Sequence, residues 1–110
     1  MVDFNSLQKR AHRIAKEHGW WNEPVKTFGD DIALIHSEAS EALEEYRTYG
    51  KVGFVRFEDG KLIGVPYEFA DIIIRVMDVA EHYGIDLEEA VVEKMNYNET
   101  REHRHGGKAL

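Results

Sequence analysis

The segment from Glu68 to Ala80 constrains the fold more than any other part of the chain. It reads EFADIIIRVMDVA, and if it is helical its only charged positions are Glu68, Asp71, Arg75 and Asp78. A helix that is apolar on nearly all sides is normally buried on all sides, so we expect Asp71 in or near the core. The four charged residues recur at three, four and three positions, which places them along one ridge of the helix.

Four helices are predicted from apolar spacing and from residues that start and stop helices. They cover about residues 3–18, 30–49, 66–83 and 86–102. Between the second and third helices, the segment 52–65 has a strand-like pattern around Asp59-Gly60, which is a strong hairpin signal. The chain is therefore expected to form one all-α domain over residues 1–110, a four-helix bundle with a small β-hairpin insertion.

Composition limits the partners of this chain. Its 21 acidic and 14 basic residues give a net charge of −7, which argues against nucleic-acid binding. The absence of cysteine excludes disulfides, thiolate zinc sites and thiol nucleophiles. Charges throughout the N-terminal stretch predict neither a signal peptide nor a membrane span, and a cytoplasmic protein is the simplest expectation.

A second acidic ridge lies on the predicted helix over residues 30–49. Glu38, Glu41 and Glu45 recur at three and four positions, and none has a Lys or Arg four residues later. Like charges at this spacing repel, and an isolated carboxylate is costly to bury unless something pairs with it. A divalent cation would supply that pairing, and oxygen ligands without cysteine favour Mg²⁺ or Mn²⁺.

Structural alternatives to a metal site remain open at this stage. Glu38 and Glu41 are also typical of a solvated helix face, and Arg75 could pair with Asp71 or Asp78 in a purely structural network. Such a network accounts for one or two acids but not for four. Asp78 itself is left open between a structural role and a role in supporting the metal ligands.

The two acidic spacings, Glu38-x-x-Glu41 and Glu68-x-x-Asp71, resemble the paired signature of the MazG-like all-α nucleoside triphosphate pyrophosphohydrolases. Their order and context are also similar to that family. The matching stretches are IHSEASEALEEYR at 35–47, EFADIIIR at 68–75, KMNYNETR at 94–101 and HGGK at 105–108. The resemblance runs from about residue 30 to the end of the chain, and the insertion at 52–65 departs from it.

This resemblance implies hydrolysis of a nucleoside triphosphate, with a deoxynucleotide expected, to a monophosphate and pyrophosphate. It implies Mg²⁺ held by four carboxylates, and a bundle that works as a homodimer or homotetramer. The implied ligands are Glu38, Glu41, Glu68 and Asp71. A carboxylate that is not fully engaged by the metal would accept the proton of the attacking water. We choose Glu41, although the sequence does not separate ligand from base.

A basic face on the last predicted helix is the candidate phosphate site. Lys94, Asn98 and Arg101 recur at four and three positions, and with Lys108 they are expected to hold the triphosphate or the leaving pyrophosphate. Three aromatic residues are candidates for stacking on the base, with core packing as the alternative. They are Trp20, Trp21 and Phe54.

Two other functions remain possible from the sequence. Phosphoribosyl-ATP pyrophosphohydrolases use a related acidic bundle on another substrate. A non-catalytic helical module could use the same acids to bind a structural cation or a basic partner. Neither a nucleic acid nor a membrane is expected as a partner.

Overall fold

The computed structural model describes residues 2–101, which form four helices and one two-stranded sheet. The helices are α1 (Phe4–Glu17), α2 (Phe28–Tyr49), α3 (Val65–His82) and α4 (Leu87–Glu99). Strands β1 (Arg56–Glu58) and β2 (Lys61–Ile63) pair antiparallel around the predicted Asp59-Gly60 turn. The predicted all-α fold with a small hairpin insertion is therefore confirmed at this level.

The helix ends follow from local signals. Thr27 and Asp30 form a capping box at the start of α2, and Gly50 ends that helix in the left-handed conformation at φ +66°. The predicted start at residue 30 is two residues late, because Asp30 lies inside the first turn rather than at the cap. At α4, the side chain of Asp86 accepts a hydrogen bond from the backbone N–H of Glu89, as expected of a capping residue.

Helix α3 packs against both α1 and α2, whereas α4 contacts α1. The expected burial of α3 on all sides is not found. Phe69 and Ile73 are 54% and 53% exposed, and Asp71 is exposed as well. The prediction that Asp71 lies in or near the core is therefore wrong, because two neighbouring helices cover only part of the circumference of α3.

The buried apolar core of the described residues is small. It consists of Ala11, Ala42, Val65, Met77, Val79 and Ala80. Helix α4 has no buried residue, and its Val92 and Met95 are 52% and 61% exposed. Much apolar surface on residues 2–101 therefore lies open. No helix within that range is both long and apolar enough to cross a membrane.

Arg56 attaches the hairpin to α2. Its guanidinium pairs with Glu45 at 2.6 Å and lies over the ring of Tyr49 at 4.1 Å. Glu45 is thus neutralised by a residue eleven positions away, outside its own helix. The interpretation of Glu45 as an unpaired member of the acidic ridge is wrong, because helical spacing reports only on neighbours within one helix.

Candidate functional site

Three carboxylates from two helices converge where α2 packs on α3. Glu38 and Glu41 lie one turn apart on α2, Glu68 lies in the first turn of α3, and one oxygen from each falls within 4.8 Å of the others. Two oxygens that bind opposite sides of one divalent cation are about 4–5 Å apart. The three side chains are therefore close enough to share a cation.

Among the carboxylates of the cluster, Glu68 has the most strongly raised pKa. Its Oε2 is buried and has no hydrogen-bond partner among residues 2–101. Burial, and then the negative charges of Glu41 and Asp71, raise the pKa of Glu68 from its ordinary 4.5 to about 7. Its proton is therefore held more tightly than that of an ordinary glutamate, and a bound cation would compete with that proton.

The pKa values of two neighbouring acids, Glu41 and Asp71, are raised as well. A hydrogen bond with Glu38, followed by the charge of Glu38, raises the pKa of Glu41. Although Asp71 is exposed over much of its surface, desolvation of its carboxylate and the charge of Glu38 raise its pKa, and Arg75 opposes the shift. Raised pKa values in a group of acids are a recognised mark of functional sites, and also of structural networks.

Arg75 reaches from α3 to α2 and pairs with Glu38. Its Nε donates to Glu38 Oε1 at 2.6 Å, and its guanidinium lies over the ring of Trp20 at 4.3 Å. The sequence suggests Asp71 or Asp78, on the same helix as Arg75, as its partner, and predicts an unneutralised Glu38. Both interpretations are wrong, because the packing of α3 on α2 places Glu38 within reach of the guanidinium.

Asp78 lies at the other end of the α3 ridge in a hydrogen-bonded network with α1. Its Oδ1 accepts a hydrogen bond from Trp21 Nε1 at 2.9 Å and lies 2.8 Å from His12 Nδ1. Because an ionised carboxylate only accepts hydrogen bonds, His12 Nδ1 is the donor in the second contact. The indole of Trp21 in turn stacks on His82 with ring centroids 3.8 Å apart. These contacts support the structural role that the sequence left open for Asp78.

A cavity of about 330 Å³ lies beside the acidic cluster. Residues of α1, α2, α3 and the connection after α1 line it, including Ile14, Trp20, Glu38, Asp71, Arg75 and Asp78. Glu38 belongs to both the cavity and the cluster, so the two are continuous. Asp71, the fourth predicted ligand, lies on the cavity side and not within the group of three oxygens.

The predicted phosphate-binding residues lie elsewhere. Lys94, Asn98 and Arg101 are exposed, and the two cationic side chains lie over the ring of Tyr97 at 5.0 and 5.6 Å. Helix α4 packs against α1, whereas the cluster lies on α2 and α3, so the main packing of α4 in the described part of the chain is not with the helices that carry the acids. Lys108 lies outside the described residues.

The three aromatic candidates have different surroundings. Trp20 lines the cavity and is 43% exposed, so its surface is accessible to a ligand. Trp21 is held in the Asp78 network. Phe54 lies at the base of the hairpin, where Lys51 is 5.0 Å above its ring. Trp20 is the member of this set that could contact a molecule in the cavity.

Asp31 is a buried acid that the sequence analysis did not single out. It is 2% exposed, and Lys26 Nζ lies 3.3 Å from its Oδ1. Lys26 also lies over the ring of Trp21 at 3.7 Å, so this pair extends the network around Asp78. An acid in the first turn of a helix is usually a surface residue that favours the helix dipole, and the local pattern therefore gave no signal of burial.

Comparison of the chain with protein-family models, with curated proteins and with solved structures gives no match. The class defined by the fold and the site is a mostly helical chain with a carboxylate cluster next to a cavity. What this chain does must be inferred from those residues.

Proposed function

We propose that this chain is a Mg²⁺-dependent nucleoside triphosphate pyrophosphohydrolase, a four-helix bundle of the MazG-like type that acts on a deoxynucleotide. The observation that carries the proposal is the convergence of Glu38, Glu41 and Glu68 next to a cavity. Hydrolysis would release a monophosphate and pyrophosphate. The paired acidic motifs in the sequence support the same function.

The donor set fits a hard divalent cation. Three carboxylates come from two helices, and Glu68 contributes a buried oxygen that has no hydrogen-bond partner among the described residues. Mg²⁺, or Mn²⁺ in its place, would be held by Glu38, Glu41 and Glu68, with Asp71 as the fourth ligand. When bound, such an ion neutralises charge on the phosphate oxygens of a nucleotide.

Glu41 is the residue that we assign as general base. It is exposed, so water can reach it, and the hydrogen bond and charge of Glu38 raise its pKa. A base with a pKa closer to neutrality holds the proton of an attacking water more readily than an ordinary carboxylate does. Arg75 supports this arrangement because it fixes the orientation of Glu38.

Association between copies is part of the proposal, as a homodimer or homotetramer. The small core and the exposed apolar side chains of α3 and α4 support it, because a small domain that buries little apolar surface is marginally stable. A second copy would also be the source of Lys94, Asn98 and Arg101 at the acidic cluster, joined by Lys108. We place the enzyme in the cytoplasm, where nucleotide pools lie.

A nucleotide panel with pyrophosphate detection tests the function. The panel contains the canonical deoxynucleoside and ribonucleoside triphosphates and phosphoribosyl-ATP, each with and without Mg²⁺. We expect pyrophosphate from at least one free triphosphate, only with the metal. Release from phosphoribosyl-ATP alone would identify the phosphoribosyl-ATP pyrophosphohydrolase type of activity, and no release from any compound would favour a non-catalytic module.

Variants of the cluster test which residues carry the activity. Glu41→Gln should lower turnover by about a hundredfold or more, the scale of general acid–base contributions, and Asp71→Asn should also lower it, because it removes the charge of a metal ligand. Glu44→Gln is the matched control, because Glu44 is an exposed acid on the same helix that is not part of the cluster. Full activity in Glu41→Gln would contradict the assignment.

A further inference from the structure

We propose that the cavity beside the acidic cluster binds the base of the nucleotide, and that Asp78 makes it selective for bases with an amino group at C4 of a pyrimidine or C6 of a purine. The selected bases are cytosine and adenine, and the disfavoured ones are uracil, thymine and guanine, which carry a carbonyl oxygen at that position. This inference rests on the proposed function, since it names the substrate class of the same site.

The placement of Asp78 along α3 suits this role. Asp71 and Asp78 both line the cavity, seven residues apart on one ridge of the helix. Seven residues rise about 10 Å along a helix, which is comparable to the reach from the α-phosphate of a nucleotide to the far edge of its base. A nucleotide with its phosphates at the acidic cluster would therefore present its base edge near Asp78.

The walls of the cavity suit a flat ring. Trp20 offers an indole with an exposed surface, and the guanidinium of Arg75 lies 4.3 Å from its ring. Ile14 and Ile74 add apolar surface to the same cavity. Indole and guanidinium planes are the surfaces on which proteins stack nucleobases.

The hydrogen bonding of Asp78 determines which edge of a base it accepts. The donors that reach it from His12 and Trp21 both end on Oδ1, and the residue is 8% exposed. Oδ2 is then the oxygen left to face a ligand in the cavity, and an ionised carboxylate only accepts hydrogen bonds. Cytosine and adenine present an amino donor at this position, whereas uracil, thymine and guanine present a carbonyl oxygen.

Binding of dCMP and dUMP to the full chain gives the sharpest test, because the two ligands differ only at this edge of the base. Titration calorimetry with Mg²⁺ present should show dCMP binding about tenfold or more tightly, the scale expected for a matched against an unmatched buried acceptor. Equal binding, or tighter binding of dUMP, would overturn the inference.

The same readout separates this inference from the proposed function. If dCTP and dUTP are hydrolysed with equal kcat/KM, the selectivity is wrong and the function stands. If no triphosphate is hydrolysed, the function is wrong, and the inference is overturned with it because it depends on a nucleotide site.

Asp78→Asn provides an independent check. The amide keeps an oxygen for His12 and Trp21 and replaces the other oxygen with an N–H donor, so it should shift the ratio of dCMP to dUMP affinity by about tenfold toward dUMP. Glu44→Gln, outside the cavity, should leave the ratio unchanged. An unchanged ratio in a folded Asp78→Asn protein would overturn the role of Asp78. If that variant does not fold, the binding of dCMP and dUMP to the unmodified chain still tests the inference.

Discussion

The carboxylates at the two ends of the charged ridge of α3, Asp78 and Glu68, have opposite surroundings. At one end, Asp78 is 8% exposed and receives hydrogen bonds from His12 and Trp21. At the other end, Glu68 is less buried, yet its Oε2 has no hydrogen-bond partner among residues 2–101 and its nearest charges are other acids.

This difference separates an acid whose hydrogen bonds hold the helices together from one whose charge has no partner among the described residues. Hydrogen bonds to Asp78 connect α1 and the following connection to α3, so they stabilise the folded chain. Burial, followed by the charges of the neighbouring acids, raises the pKa of Glu68 and therefore opposes the charged form of its carboxylate in the folded protein at neutral pH. A bound cation would relieve that cost, so the Glu68 end is the better candidate for cation binding.

The largest expected effect is at the structural end. Asp78→Ala should lower the free energy of unfolding by about 3 kcal/mol, because it removes two hydrogen bonds and leaves the Trp21 indole N–H without its acceptor. Urea denaturation of the metal-free protein measures the change. Asp71→Ala is the matched comparison on the same ridge, and it should cost much less. Equal losses of stability in the two variants would show that the hydrogen bonds to Asp78 do not give it a special structural role.

Arg75→Ala should have a smaller effect that depends on the metal. Glu38 is 11% exposed at its side chain, and its recorded cationic partner is Arg75. Removal of the Arg75 side chain should lower the free energy of unfolding of the metal-free protein by about 1–3 kcal/mol, which is the cost of leaving a buried acceptor without a donor. Millimolar Mg²⁺ should recover part of that loss, as seen by thermal melting. A loss that is the same with and without Mg²⁺ would show that the cation does not reach Glu38.

Glu68→Gln should stabilise the metal-free protein in a pH-dependent way. Because folding raises the pKa of Glu68 from 4.5 to about 7, its stabilising contribution is full below the lower value and is lost as the pH rises through the upper one. Gln stays neutral, so the variant should melt higher than the parent at about pH 8 and equally at about pH 4. Glu44→Gln is the control. A parent that is not less stable than the variant at the higher pH would contradict the raised pKa.

The smallest effect concerns the pH dependence of metal stabilisation. Mg²⁺ competes with the proton on Glu68, so the increase in melting temperature that it causes should grow as the pH rises through about 7. Thermal melts with Mg²⁺ and with a chelator measure it. In Glu68→Gln the increase should be smaller and nearly independent of pH. A pH-independent increase in the parent would show that Glu68 does not hold the cation.

The sequence was informative about elements whose signals are local. Asp59-Gly60 predicted the hairpin turn, Gly50 predicted the end of α2, and both are found. The spacing of Glu38 and Glu41 placed them on one helical face, and the paired motifs suggested that Glu68 lies near them, as it does. Such signals are readable because they depend on residues within a few positions of one another.

Contacts between distant segments were decided by the tertiary structure. Arg75 had equally good candidates on its own helix, and only the packing of α3 on α2 selected Glu38. The indole N–H of Trp21 needs an acceptor when it is buried, but nothing local indicates Asp78, which lies 57 residues away. The exposure of Asp71 also follows from packing, because an apolar helix predicts burial only where other elements are present to cover it.

The amino-acid sequence by itself determined where this chain is helical, where it turns, and which carboxylates share a helical face. Backbone hydrogen bonding, capping and side-chain spacing act over three or four residues, so helices, turns and helical faces can be predicted from short stretches of sequence. The tertiary structure alone decided which acids receive a partner and which are left crowded, because pairing and desolvation depend on side chains that the crossing of helices brings together.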